Sequence, residues 1–335
     1  MSNQHTTPRM LPLLVSGSLI LAVTVLASLL LGAGEISPAR AWAALWGYGS
    51  DEALFVLYEL RGPRTLIGAL VGVALGCAGA LMQAVSRNPL AEPGLLGVSA
   101  GSSFAVALAL VLGASISTLT VFVAQAGALV GCALVMTAAR LNGLGHNPVR
   151  LILAGATLTS LLMALTSLLL MFDQRSADEI RFWVIGSVAG RDMSQAIQVL
   201  PFIGVALGLL AFIARPLAAL ALGESVARGL GEKPARIRLI SVLVVALLVG
   251  SATAIAGPIA FLGLVVPYIA RHFTGPDIRR TLWLSAVIGP ILLIAADTCS
   301  RLLAAPAEMP LGVMTALLGA PVLIVMIRAR RMPLL

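Results

Sequence analysis

Charge is what this chain has least of. Only 11% of its 335 residues are Asp, Glu, Lys or Arg, against about 25% in an average soluble protein. No stretch has the composition of a soluble globular domain. The chain contains no GxxxxGK[ST] phosphate loop, which excludes ATP binding by that route. It has no Ser/His/Asp arrangement and no metal-ligand spacing, and its three histidines, His5, His146 and His272, fall in polar connecting segments. No catalytic residue, no cofactor and no metal ligand is therefore assigned. Cysteine is equally sparse. Cys77, Cys132 and Cys299 lie far apart, in or at the ends of apolar runs, so they form no disulfide framework. Ionisable residues are nearly missing from the interior of those runs as well. A charge at mid-bilayer costs roughly 2.5–3.5 kcal/mol on insertion scales, a cost that ion-coupled pumps accept in order to carry protons. This chain offers no such relay. Asp297 comes nearest, and Arg301 four residues on is expected to pair with it on one helix face.

Hydrophobic residues are abundant, at 59%. They recur in runs long enough to cross a hydrocarbon core, which takes about 20 helical residues. Ten spans are expected, at 11–33, 64–85, 94–112, 115–139, 150–172, 195–214, 239–256, 258–270, 281–302 and 311–328. The fold class is all-α and polytopic, one transmembrane domain over 1–335 with a short N-terminal segment 1–10. The first run exceeds a signal-peptide core of roughly 7–15 residues and is expected to be retained. Pro258, Pro267, Pro290 and Pro321 break or edge several spans, which is tolerated where protein or a water-filled cavity covers the freed backbone groups. The span at 258–270 is too short to cross alone and is expected to begin irregularly near Ala256, Gly257 and Pro258. The net charge of +8 does not call for nucleic acid. Alternating spans from an inner N-terminus puts most of the 22 basic residues and few of the 14 acidic ones on the inner side, so both termini are expected in the cytoplasm of a bacterial inner membrane.

Several shorter features stand out. Gly68, Gly72 and Gly76 repeat every four residues, with Gly79 beyond, a spacing that lets helices approach closely. Intramolecular packing explains it more simply than a dimer seam. The pieces AGALMQ (78–83) and AGPIAFLGLVVP (256–267) hint at an inverted repeat. On the outer side, Ser37 before Pro38 predicts a capped short helix. Ser176 with Glu179 reads as a capping box, and Phe182 and Trp183 are expected at the membrane interface.

The longest polar run of the second half is LALGESVARGLGEKPARIR (220–238), within a coupling loop drawn at 215–238. Residues 222–230 predict a short helix, bounded by Gly223, Gly229 and Gly231, and Pro234 prevents simple continuation. Such a helix either lies at the lipid headgroups or docks a soluble partner. With no coupling-ion site and no ATP site, uphill transport would have to draw its energy from a partner, which favours docking. A secondary transporter and a membrane-embedded enzyme remain as other classes, the first opposed by the missing intramembrane charge and the second by the missing polar cluster.

RGPRTLIGALVGVALGCAGALMQAVSRNPLAEPGLLGVSAG (61–101), RLILAGATL (150–158), RFWVIGS (181–187), LGESVARGLG (222–231), GSATAIAGPIAFLGLVVPYIAR (250–271) and LGAPVLIVMIRARR (318–331) resemble the FecCD family. These are permease subunits of ATP-binding-cassette (ABC) importers for ferric siderophores, haem and cobalamin. The resemblance implies the type II importer architecture of ten helices and a second permease subunit, a copy or a paralogue. It implies two cytoplasmic ABC ATPase subunits and a periplasmic or lipid-anchored binding protein. It implies ATPase coupling through Gly223, Glu224, Ser225, Arg228, Gly229, Leu230 and Gly231, with Glu224, Ser225 and Arg228 as polar contacts. It places binding-protein docking at Arg61, Arg64 and Arg301, and a cytoplasmic gate at Asn88, Pro89, Leu90, Asn147 and Pro148. The cargo nearest in pattern is an iron(III)-siderophore, with cobalamin or haem as alternatives. Iron would travel wrapped in its chelator, so the protein needs no iron ligand.

Overall fold

The computed structural model describes residues 10–32, 36–114, 116–141, 148–305 and 307–328. Among these there is no strand. The helices in chain order are α1 (Met10–Leu30), α2 (Pro38–Leu45), α3 (Asp51–Phe55), α4 (Gly62–Ser86), α5 (Val98–Val111), α6 (Ile116–Leu141), α7 (Pro148–Leu170), α8 (Gln174–Val184), α9 (Met193–Ala221), α10 (Glu224–Gly229), α11 (Pro234–Ala256), α12 (Leu262–Thr274), α13 (Ile278–Leu303) and α14 (Leu311–Arg328). Each of the ten expected spans falls on one of these helices. Seven are long and apolar enough to cross a membrane, while Val98–Val111 and Leu311–Val325 are shorter, and α12 has only 13 residues.

Position in the bundle follows from how much of each helix is apolar and small. The most apolar window of α11 is 83% buried and that of the α3–α4 rod 78%, against 11% for α1 and 17% for α7. The first two are therefore enclosed by protein. The last two turn their leucines and valines outward, to lipid or to another subunit. The enclosure of α4 depends on its glycines. A Cβ on Gly72 would sit 2.5 Å from Pro290 Cα, and one on Gly79 would sit 2.0 Å from the Gly263 carbonyl oxygen. The repeat is thus an intramolecular seam against α13 and α12. A second seam, not foreseen from the sequence, joins α5 to α6, where a Cβ on Gly101 would lie 2.3 Å from the Gly127 carbonyl.

Two interruptions shape the interior. α4 ends at Arg87 in the left-handed region (φ 51°). Segment 88–97 then passes through a short 3₁₀ turn at Pro93–Leu96 before α5 begins. α11 ends at Ala256, Gly257 takes φ 73°, and α12 begins only at Leu262, as the prolines and glycines there predict. Each half of the chain therefore contains a long buried helix, a break and a short helix. The break at 257 is held from the side: Ser187 N–H donates to Ala256 O at 2.8 Å, and Gly312 N–H to Gly186 O at 3.3 Å.

Two local expectations need correction. The helix at 174–184 is capped by Asp173, whose carboxylate accepts the N–H groups of Arg175 and Ser176 at 3.3 Å. Ser176 lies inside the helix and donates its hydroxyl to the same carboxylate. An ionised Asp accepts without competing as a donor, so it takes the cap, and Glu179 pairs instead with Arg175. Trp183 is buried at 2% exposure rather than lying at an interface, because the 256–258 backbone folds over it: a Cβ on Gly257 would meet the Trp183 carbonyl at 2.1 Å. By contrast the cap at Ser37 forms as expected, accepting from Arg40 N–H at 3.4 Å.

Candidate functional site: docking surfaces and conduit

The expected coupling stretch is narrower than drawn. α9 continues through Arg215 and Pro216 to Ala221 and α11 begins at Pro234, so residues 222–233 alone lie between the long helices. Gly223 takes φ 134° and Gly231 φ 81°, backbone that a side chain would strain. Leu222 just before Gly223 (75%), Val226 within α10 (42%) and Leu230 at its C-cap (67%) are exposed. Val226 and Leu230, one helical turn apart, share one face, while Leu222 caps α9 on the other side of the non-helical Gly223. Ala227 faces inward and is fully buried. Ser225 and Arg228 are exposed. Glu224 is engaged within the chain, accepting from Arg228 at 2.9 Å and from Arg238 of α11. Its carboxylate pins α10 to α11, and the outward surface is more apolar than the resemblance implies. Gly229 has open space around it.

The connecting segment after α4 is tethered at both ends. Arg87 donates its guanidinium to the Leu220 carbonyl in the last turn of α9. Asn88 closes a turn, its side-chain oxygen accepting Leu90 N–H at 3.0 Å and its carbonyl accepting Ala91 N–H at 3.0 Å. Leu90 is 36% exposed. Glu92 then accepts the N–H of Phe261 at 3.2 Å, at the start of α12. Burial pushes the Glu92 carboxyl above its usual range, and the Phe261 N–H opposes that shift. Phe261 has φ 67°, a strained conformation for a bulky residue, fixed by Glu92 on one side and by Gly319 against its ring on the other. Nearby, buried Arg271 donates to the Gln83 amide oxygen at 3.0 Å, a buried cation that the sequence pattern placed at a span end. Asn147 lies outside the described residues, and Pro148 opens α7.

The three arginines expected on the outer rim converge, and mostly inward. Arg61 is 5% exposed and donates to the carbonyls of Leu29 and Leu30 at 3.0 and 2.9 Å. Arg301 is 3% exposed and donates to Leu31 O, Ser28 O, Ser28 Oγ and Thr298 Oγ1. Both guanidiniums cap the C-terminal end of α1, where carbonyls lack helical partners. Both side chains are thus enclosed within this chain. Asp297 does lie 3.2 Å from Arg301 Nε, as helix spacing predicts. Its main partner, however, is Arg64 of α4, at 2.8 Å from Nη2 and 3.0 Å from Nε. Arg64 also holds Glu308 at 2.8 Å, a residue whose side chain is 37% exposed. Of the three, Arg64 alone reaches the surface, through that pair. No local pattern reports the Arg64 contacts, which join residues more than 200 positions apart.

An open cavity of about 660 Å³ lies along α14, lined by Pro258, Ala260, Val313, Ala316, Leu317 and Ile324 among others, nearly all apolar. It is bounded by the break between α11 and α12. Among the described residues no group of His, Cys, Asp and Glu could hold a metal ion, and nothing lining this cavity could act as a nucleophile or a general base.

A helical bundle of this kind, with an apolar wall open along one side and a short exposed helix between two spans, defines a polytopic membrane protein. The chain belongs to the FecCD transport family, whose model matches residues 20–329. It is 41% identical over 313 residues to the ferric enterobactin transport system permease protein FepD of Escherichia coli (strain K12), covering 93% of each chain. It is 39% identical to the iron(3+)-hydroxamate import system permease protein FhuB of Bacillus subtilis (strain 168), over 95% of this chain and 83% of the relative. Among solved structures, a metal-chelate type ABC transporter in an inward-facing conformation superposes with a TM-score of 0.82 at 28% identity, covering 94% of this chain and 98% of that one.

Proposed function

We propose that this protein is the membrane-spanning permease subunit of an ATP-driven importer that moves an iron(III)-siderophore across a bacterial inner membrane. A binding protein would deliver the cargo to the outer face and a separate cytoplasmic ATPase would supply the energy. The observation that carries this reading is α10, whose stripe of Val226 and Leu230, with Leu222 just before it, is exposed between two spans. Burying one such side chain against a partner contributes about 1.5–3 kcal/mol, so the stripe can hold a soluble subunit. The basic excess expected on that side of the chain supports a cytoplasmic location. The relatives named above for ferric enterobactin and iron hydroxamate support the cargo class.

In this reading a second permease subunit closes the cavity along α14 into a conduit. A weakly polar wall suits a bulky chelate that carries its iron fully wrapped. Segment 88–90 stands at the inner mouth. The binding protein docks on the outer rim around Arg64 and Glu308, while Arg61 and Arg301 hold the frame behind it. Charged rims chiefly set on-rate and orientation.

The test is uptake of radiolabelled ferric siderophores in cells with and without this chain, with the partner ATPase active or carrying a disabled phosphate loop. Uptake of one chelator class that needs both proteins is the expected result. Uptake that ignores the ATPase and collapses with a protonophore would overturn it in favour of a secondary transporter. ATP-dependent uptake of cobalamin or haem would overturn the cargo alone.

A further inference from the structure

The contacts around segment 87–92 form a continuous path from the exposed helix α10 to the break before α12. It starts at the last turn of α9. The Leu220 carbonyl accepts the N–H groups of Leu222 and Gly223, and these two residues lead directly into α10. The same carbonyl accepts the Arg87 guanidinium. A cation there is favoured by the negative end of the α9 dipole. Arg87 is also the left-handed C-cap of α4, its own N–H returning to Gln83 O. One residue therefore terminates two long helices at once, α4 with its backbone and α9 with its side chain. From Arg87 the chain makes the Asn88 turn, and four residues later Glu92 grips the Phe261 N–H at the head of α12. Pro93 seals the contact, because a Cβ on Gly263 would lie 2.9 Å from Pro93 Cδ. Phe261 in turn sits against Gly319 of α14, the helix that walls the cavity.

No other residue of the segment has this double engagement. Leu90 is exposed, and Asn88 bonds within its own turn and back to Gln83 O of α4 but not to a second long helix. A displacement of α10 moves Leu220, and the Arg87 bond ties that carbonyl to a segment whose far end is fixed to the wall of the conduit. We propose that Arg87 is the positioning residue that couples movement of the ATPase-docking loop to the inner mouth and, through Glu92 and Phe261, to the wall of the conduit. The proposal rests on the importer reading above and adds to it the residue that links docking to opening.

The left-handed backbone of Arg87 allows a clean test. Arg87→Gly suits φ 51° and keeps the cap of α4, so it removes the guanidinium alone. Arg87→Asn, which also tolerates this conformation, serves if the glycine variant does not assemble. The complete importer, with ATPase, second permease subunit and binding protein, is reconstituted in proteoliposomes. ATP hydrolysis and ferric-siderophore uptake are then measured on the same vesicles. In the variants uptake falls more than hydrolysis, so the ATP consumed per cargo imported rises about tenfold, within the range of typical coupling free energies. Arg87→Lys, which keeps a cationic donor near the Leu220 carbonyl, restores part of the ratio. A purely structural role would lower hydrolysis and uptake in step with the amount of folded complex and leave the ratio unchanged. That result, with wild-type uptake still ATP-dependent, overturns this proposal and leaves the importer reading intact. Wild-type uptake that needs no ATP overturns both.

Discussion

At the scale of single residues, the outer arginines show how burial decides between two jobs for the same side chain. A guanidinium on a solvated rim can steer a partner. One enclosed at 3% exposure, as Arg301 is, must instead satisfy its donors inside the fold. Asp297 holds the cluster neutral enough to exist, since it faces both Arg64 and Arg301. Asp297→Ala should therefore cost about 3–5 kcal/mol, the usual penalty for stranding a buried charge, and lower the unfolding temperature of the purified permease in detergent. An unchanged unfolding temperature with weaker binding-protein affinity would return the cluster to the docking surface. Arg64→Glu should affect both, because that side chain alone links the buried cluster to Glu308 at the surface. Of these contacts the helix-local Asp297–Arg301 pair was legible in the sequence, because it repeats at helical spacing. The Arg64 contacts were not, because no local pattern reports which helices meet.

At the scale of elements, α4 and α10 are opposite cases. α4 is defined by what it lacks, side chains at the seam. A methyl at Gly79 would have to displace the Gly263 backbone, which lies 2.0 Å away. Gly79→Ala should destabilise by about 3 kcal/mol, the upper end of typical overpacking costs, and be seen as a loss of folded, monodisperse protein. Gly229→Ala, with nothing within 4 Å, is the matched control and should leave the yield unchanged. α10 is defined by what it leaves uncovered. Val226→Asp and Leu230→Asp should each reduce co-purification of the ATPase about tenfold, equivalent to roughly 1.4 kcal/mol, while the permease still folds. Undiminished co-purification in both variants would remove α10 from the docking surface. Glu224→Lys is a poorer probe of docking than these two. It would set a third cation beside Arg228 and Arg238 and disturb α10 itself.

At the scale of the whole molecule, the open apolar wall along α14 is the feature that a single chain leaves incomplete. Ala316 lies in the lining of that cavity. Ala316→Trp places a large ring there and should cut cargo uptake while assembly with the ATPase, measured by co-purification, stays as in the wild type. Uptake equal to wild type would mean that the cargo does not pass along this wall. The cavity is flanked by the irregular backbone of the break at 257–261. That is where freed peptide groups can be covered by protein rather than by lipid.

The sequence by itself determined the all-helical membrane class, the ten apolar segments that each fall on a helix, the break before α12, the short helix between α9 and α11 and the absence of a phosphate loop. These follow from local quantities: hydropathy over about 20 residues, proline and glycine stops, and motif spacing. Tertiary structure alone decided that Arg61 and Arg301 turn inward, that Glu224 is spent on Arg238, that Trp183 is covered, and that Arg87 and Glu92 bind two elements far away in the chain. Each of these depends on which helices lie side by side. In an apolar bundle that choice is made by close packing of small residues and by a few buried polar contacts, whose partners lie tens to hundreds of positions away and leave no periodic trace in the sequence.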